Sequence, residues 1–230
     1  TGTVDASSLK TITGTGADAK TAFDSAGITL TFDASSYLAG YTDLLAAFGT
    51  DLTAATSHYF AHGVSEGRSF DAFDENSYLA GYSDLLAAFG TNTDSALVHY
   101  INNGYSEGRS ADAFDENSYL ASNTSLIGTV TDAAAHYVTT GYAAGLAADS
   151  FDEYGYIASH TDLIAAFGTN ATAAVQHYID YGSTEGRAVT FDASSYLAAH
   201  ADLRAAFGTD QELSKQHYIN YGSDEGRSID

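Results

Sequence analysis

The chain has no cysteine, proline, methionine or tryptophan, and only 8 of its 230 residues are Lys or Arg. Without Cys there is no disulfide framework and no thiolate chemistry. Without Pro, turns and helix stops fall to Gly, of which there are 22. The absence of Met, even at position 1, is expected of a processed form or a fragment. No apolar run approaches the length of a membrane span, roughly 18 residues, so no membrane span is expected. The scarcity of cations against 30 Asp and Glu leaves a formal charge of −22. Such a surface repels nucleic acid and anionic lipid, whose affinity comes largely from Lys and Arg, and it attracts divalent cations.

What is abundant is apolar and aromatic: 44% hydrophobic and 13% aromatic residues, enough for a packed core rather than disorder. Most of these residues belong to a repeat. The stretch FDASSYLAGYTDLLAAFGTDLTAATSHYFAHGVSEGR from Phe32 to Arg68 returns from Phe73, Phe114, Phe151 and Phe191. The repeats are residues 32–72, 73–113, 114–150 (degenerate), 151–190 and 191–230. A recurring residue reads first as part of the unit's build.

Each unit reads as three or four short helices. Asp33, Asp74, Asp115, Asp152 and Asp192 suit N-caps of a first helix that carries Tyr37 and Leu38 inward. TDLLAAFG is a second helix, capped by Thr42 or Asp43 and ended by Gly49. Leu44, Leu45 and Phe48 form its apolar face. Asp51 caps the longest helix, predicted over residues 52–62 and closed by Gly63. Ala55, Tyr59 and His62 are expected to share a face. SEGR is a last turn, with Ser65 as cap and Gly67 as terminator. Units of about 40 residues rarely fold alone, so stacking into a solenoid-like, mostly α array is expected. Residues 1–31 are rich in Thr, Ser and Gly, with strand-like alternation at Leu9–Thr13 and Ile28–Phe32. They read as a short β-rich N-terminal arm.

Copy three is four positions shorter between Phe114 and His136 than the first copy is between Phe32 and His58. It has Ser125 where the others have Asp43, Asp84, Asp162 and Asp202. It also has Leu146 where they have Arg68, Arg109, Arg187 and Arg227. The joint loss marks Asp and Arg as partners in a structural ion pair. The other reading, an anion-binding Arg, is opposed by the net charge.

Three further sets could carry chemistry. His58, His99, His136, His177 and His217 each precede a Tyr, as metal or haem ligands or as helix-face residues with a local partner. His58 and His62 are the one i, i+4 pair. Asp71, Asp74 and Glu75, repeated as Asp112, Asp115 and Glu116, are the calcium candidates, against a solvated acidic face. No catalytic constellation stands out, so no enzyme is expected.

The pattern F-D-x-x-x-Y-L-A-x-x-x-D-L, H-Y-x-x-x-G and E-G-R resembles a tandem repeat of secreted and cell-surface bacterial proteins, over residues 32–230. Many of those are acidic, Cys-poor and associated with calcium-binding RTX segments. The resemblance implies an extracellular or bacterial cell-surface location and a calcium-rich setting, and it assigns no activity. The expected function is a non-enzymatic structural protein that self-assembles into a surface layer, filament or matrix, with calcium the one candidate cofactor. The alternatives are an adhesin for cell-surface polysaccharide using exposed tyrosines, and a metal or haem carrier through the His-Tyr positions.

Overall fold

The structure, a computed structural model, describes residues 3–5 and 29–229. It is mostly helical, with a first helix, a long helix and a π-helical turn recurring in each repeat. Two short strands, β1 (Thr3–Asp5) and β2 (Thr29–Thr31), pair in parallel with Val4 opposite Leu30. β2 falls within the expected Ile28–Phe32 stretch. The other expected strand, Leu9–Thr13, lies outside the described residues.

Repeat 1 contains α1 (Ala34–Ala39), α2 (Thr42–Phe48), α3 (Leu52–His58), a π-helical turn (Tyr59–Gly63) and α4 (Val64–Glu66). Repeat 2 follows with α5 (Glu75–Ala80), α6 (Ser83–Phe89), α7 (Thr93–His99) and a π-turn (Tyr100–Gly104). Repeat 3 has α8 (Glu116–Ser122), a 3-10 turn (Thr124–Leu126), α9 (Ala133–His136), a π-turn (Tyr137–Gly141) and α10 (Tyr142–Ala144). Repeat 4 has α11 (Glu153–Ala158), α12 (Thr161–Phe167), α13 (Ala171–His177), a π-turn (Tyr178–Gly182) and α14 (Ser183–Glu185). Repeat 5 closes with α15 (Ala193–Ala199), α16 (Ala201–Phe207), α17 (Gln211–His217) and a π-turn (Tyr218–Gly222). The four positions missing from copy three come out of the second helix, leaving a single 3-10 turn.

Helices of six or seven residues are marginal alone, so caps and packing decide. Each first-helix Asp accepts backbone N–H bonds, Asp33 from Ser35 and Ser36 and Asp74 from Ser77. Asp51 caps α3 in the same way. The second helix departs from expectation. Its N-cap is Tyr41, with no side-chain capping bond, and Thr42 is already helical. Asp43 sits in the first turn with its carboxylate engaged elsewhere.

Gly63 does not stop the long helix. Its φ of −54° and ψ of −41° are helical, and the rod runs on through the π-turn to Glu66. Ser65 is inside this rod, its hydroxyl donating to the His62 carbonyl at 2.7 Å. The stop is Gly67, left-handed at φ 73°. Arg68 N–H bonds Gly63 O at 2.9 Å and Gly67 N–H bonds Val64 O at 3.2 Å, a Schellman closure. His62 is exposed, apart from buried Ala55 and Tyr59.

By internal contacts the chain divides into two units, residues 1–114 and 115–230. In the first, α1 packs on α7 and its π-turn. In the second, α8 packs on α13 and its π-turn, and α11 on α17 and its π-turn. One rule serves both units: the first helix of a repeat lies on the long helix of the next. The second unit's core runs across repeats, joining Tyr156, Ile157 and Leu163 to Phe191, Tyr196 and Leu197.

Candidate functional site

The most repeated chemistry is a tyrosine on a histidine. Tyr37, from α1, is fully buried and its Oη lies 2.9 Å from Nδ1 of His58. The same pair forms in the other four repeats, Tyr78–His99, Tyr119–His136, Tyr156–His177 and Tyr196–His217, at 2.8–3.0 Å. The glycine of H-Y-x-x-x-G makes room for it. A Cβ on Gly63 would stand 2.6 Å from Tyr37 Oη and 2.9 Å from the Tyr59 ring. The π-turn between His and Gly widens the rod where the phenol enters. Burial raises the tyrosine pKa values, to about 12 for Tyr78, Tyr156 and Tyr196, so the phenols stay protonated. Nδ1 of each histidine is therefore already engaged.

The second element is the arginine. Arg68 donates through Nη1 and Nη2 to both oxygens of Asp43, at 3.0 and 2.8 Å, and through Nε to Glu66 at 2.6 Å. Arg109 repeats this with Asp84 and Glu107. Arg187 pairs with Asp162 and Glu185, and Arg227 with Asp202 and Glu225. The Schellman turn aims the guanidinium, because Arg is the residue after the left-handed Gly. Hydrogen bonding from Arg holds Asp43, Asp84, Asp162 and Asp202 below the usual carboxylate range. These Arg side chains are about a quarter exposed and the Asp partners about 60%, so solvent screens the pairs and they orient the turn more than they stabilise it.

A third linkage has no sequence signature. Tyr41 and Tyr82 donate to the carbonyls of Ser69 and Ser110. At the same register Asn123 donates to Ala147 O, His160 Nε2 pairs with Ala188 O, and His200 Nε2 with Ser228 O. Three residue types thus make one bond. Their only shared property is a donor at the right reach, which residue-by-residue comparison does not reveal.

The calcium candidates lie at the junctions. Asp71 accepts from Ser36 Oγ at 2.9 Å and Asp112 from Ser77 Oγ at 2.8 Å, which fastens each linker to the first helix. Asp74 and Asp115 cap helices. Glu75 has its pKa raised by burial, with Asp71, Asp74 and Asp33 adding to the rise. Glu116 opens α8. No group of three or more His, Cys, Asp or Glu among the described residues is placed to hold a metal ion. His58 and His62 have ring centroids 5.5 Å apart.

No family model matches the chain, and neither curated proteins nor solved structures supply a match. No helix among the described residues is long and apolar enough to cross a membrane.

Proposed function

We propose that the chain is a non-enzymatic, extracellular structural repeat protein that assembles with copies of itself on a bacterial surface. The recurring polar residues support a scaffold, since they are spent on caps, helix closures and internal pairs. One observation carries the assembly. The alanine on the outer face of the first helix is buried in repeats 1, 3 and 4 (Ala39, Ala121, Ala158), where the next repeat's long helix covers it. In repeat 5 the same face is open, with Ser194, Ala198 and Ala199 exposed.

That face fits the long helix of another repeat, and in the proposed assembly a second copy supplies it. Such contacts are heterologous and propagate as filaments or sheets unless they close. Arg204 adds charge complementarity. It stands where repeats 1, 2 and 4 have Leu45, Leu86 and Ile164, and it donates to Ala198 O at the open end. On so acidic a protein, an exposed cation there attracts another copy. Calcium would assist by screening and bridging carboxylates.

The test is sedimentation and electron microscopy of the intact chain with calcium and with chelator, beside Ala198→Glu. Assembly of the parent and its loss in the variant, at unchanged helicity, is the expected result. A parent chain that stays monomeric at its highest soluble concentration in both conditions would end the reading.

A further inference from the structure

Each full-length repeat sets a phenylalanine from the end of its second helix against the histidine of its long helix. The ring centroids are 5.7 Å apart for Phe48–His58, 5.8 Å for Phe89–His99, 5.6 Å for Phe167–His177 and 5.8 Å for Phe207–His217. Copy three lost this phenylalanine with its second helix. In repeat 2 the pair lines an open groove of about 400 Å³, completed by Val98, Asn102 and Asn103 among others. His99 has its Nδ1 on Tyr78, which fixes the ring, and its Nε2 has no protein partner among the described residues. The side-chain amides of Asn102 and Asn103 likewise bond no protein group among the described residues. In repeats 4 and 5 the row is extended by a second ring one turn on. Tyr181 and Tyr221 stand 5.6 Å from His177 and His217 and are 58% and 59% exposed.

Phe167 and Phe207 pack partly against the core, but each row leaves part of its rings open, and the exposed rings of Tyr181 and Tyr221 gain little by facing water. Each offers an aromatic face beside an imidazole on a shallow surface, and in repeat 2 Asn92, Asn102 and Asn103 add uncharged donors and acceptors, with Asp94 also lining the groove. We propose that the Phe–His rows are subsites for a neutral polysaccharide, with sugar C–H faces stacked on Phe and Tyr and hydroxyls bonded to Asn and His Nε2. The charge of −22 opposes nucleic acid and other polyanions. A shallow site that recurs along a chain suits a ligand that itself repeats, because weak contacts then add through effective concentration.

The test is native gel electrophoresis of the intact chain in gels cast with dextran, amylopectin, mannan or hydroxyethylcellulose, with alginate as the polyanion control. Retardation by at least one neutral polymer is expected. The double variant Tyr181→Ala/Tyr221→Ala should weaken it about tenfold or more, the scale of losing aromatic anchors. Its thermal melt should not change, because both rings are more than half exposed. Asn103→Ala probes the other unit independently. The proposal is overturned if no neutral polymer retards the chain, if alginate alone does, or if the double variant is retarded like the parent. A chain that is retarded while monomeric would sink the assembly reading and leave this one; an assembling chain that no polymer retards would do the reverse.

Discussion

Lys215 Nζ lies 2.8 Å from Asp152 Oδ2 and ties the long helix of repeat 5 to the N-cap of repeat 4. Its side chain is only 9% exposed, and it also reaches Glu212 at 2.6 Å. Burial works against the charge, but hydrogen bonds to both carboxylates outweigh it and the lysine pKa is raised. The same register holds Leu97 in repeat 2 and Val175 in repeat 4, both buried. An apolar side chain therefore fits this interface. Lys215→Leu should be neutral or stabilising, within about 1 kcal/mol. Asp152→Asn keeps a capping oxygen but leaves the ammonium poorly paired, and should cost about 1–2 kcal/mol. Urea unfolding of the two variants distinguishes these signs.

Gly63 and Gly67 should respond to alanine for different reasons. At Gly63 the new methyl would drive into Tyr37 and Tyr59, and the loss should be about 1–3 kcal/mol, with Tyr37→Phe partly rescuing it. At Gly67 nothing lies within 4 Å, and the loss is the left-handed backbone cost of about 1–2 kcal/mol, with no rescue. A double-mutant cycle against Tyr37→Phe separates the two.

Alkaline titration should meet resistance from the buried phenols, whose pKa values burial pushes to about 12 at Tyr78, Tyr156 and Tyr196. A raised folded-state pKa gives stability that is complete below the unfolded value of about 10 and is lost as pH rises through the folded value. Tyrosinate absorbance should show a late phase coinciding with loss of helix by circular dichroism.

On the acid side two effects oppose. Glu75 and Glu153 have raised pKa values, chiefly from burial. The folded state holds their protons more tightly, so stability increases as pH falls from neutrality through those values. Asp43, Asp84, Asp162 and Asp202 have lowered values, and their contribution disappears as pH falls below the usual Asp range. Thermal melting should peak on the acid side of neutrality, and Glu75→Gln should flatten the slope above the peak. A maximum at or above neutral pH would contradict this.

Repeat period, helix content and first-helix caps were legible because the sequence carries them redundantly. Asp33 recurs at every unit start, and its cap depends only on its immediate neighbours Ser35 and Ser36. Gly63 misled because two roles share one residue type. A terminator and a close-approach glycine look alike until Tyr37, far back on the first helix, is placed against it. The bond made by Tyr41, Asn123 and His160 was hidden for the converse reason, one role filled by three residue types. The Phe–His rows were hidden because Phe48 reads as core when the second helix is considered alone. It is half-buried beside His58 instead.

The π-turn also dictates where a unit can change length. The separation from His58 to Arg68 is kept from His99 to Arg109, His177 to Arg187 and His217 to Arg227, and His136 to Leu146 keeps it even where the arginine is gone. One residue more or less in this span would rotate the guanidinium by about 100° away from its carboxylate and move the glycine from under the phenol. Differences in repeat length are absorbed instead in the second helix and the linkers. The span from His to Arg is thus a fixed cassette, and length varies outside it. Engineered insertions belong outside it, and whole units should exchange most cleanly when cut there.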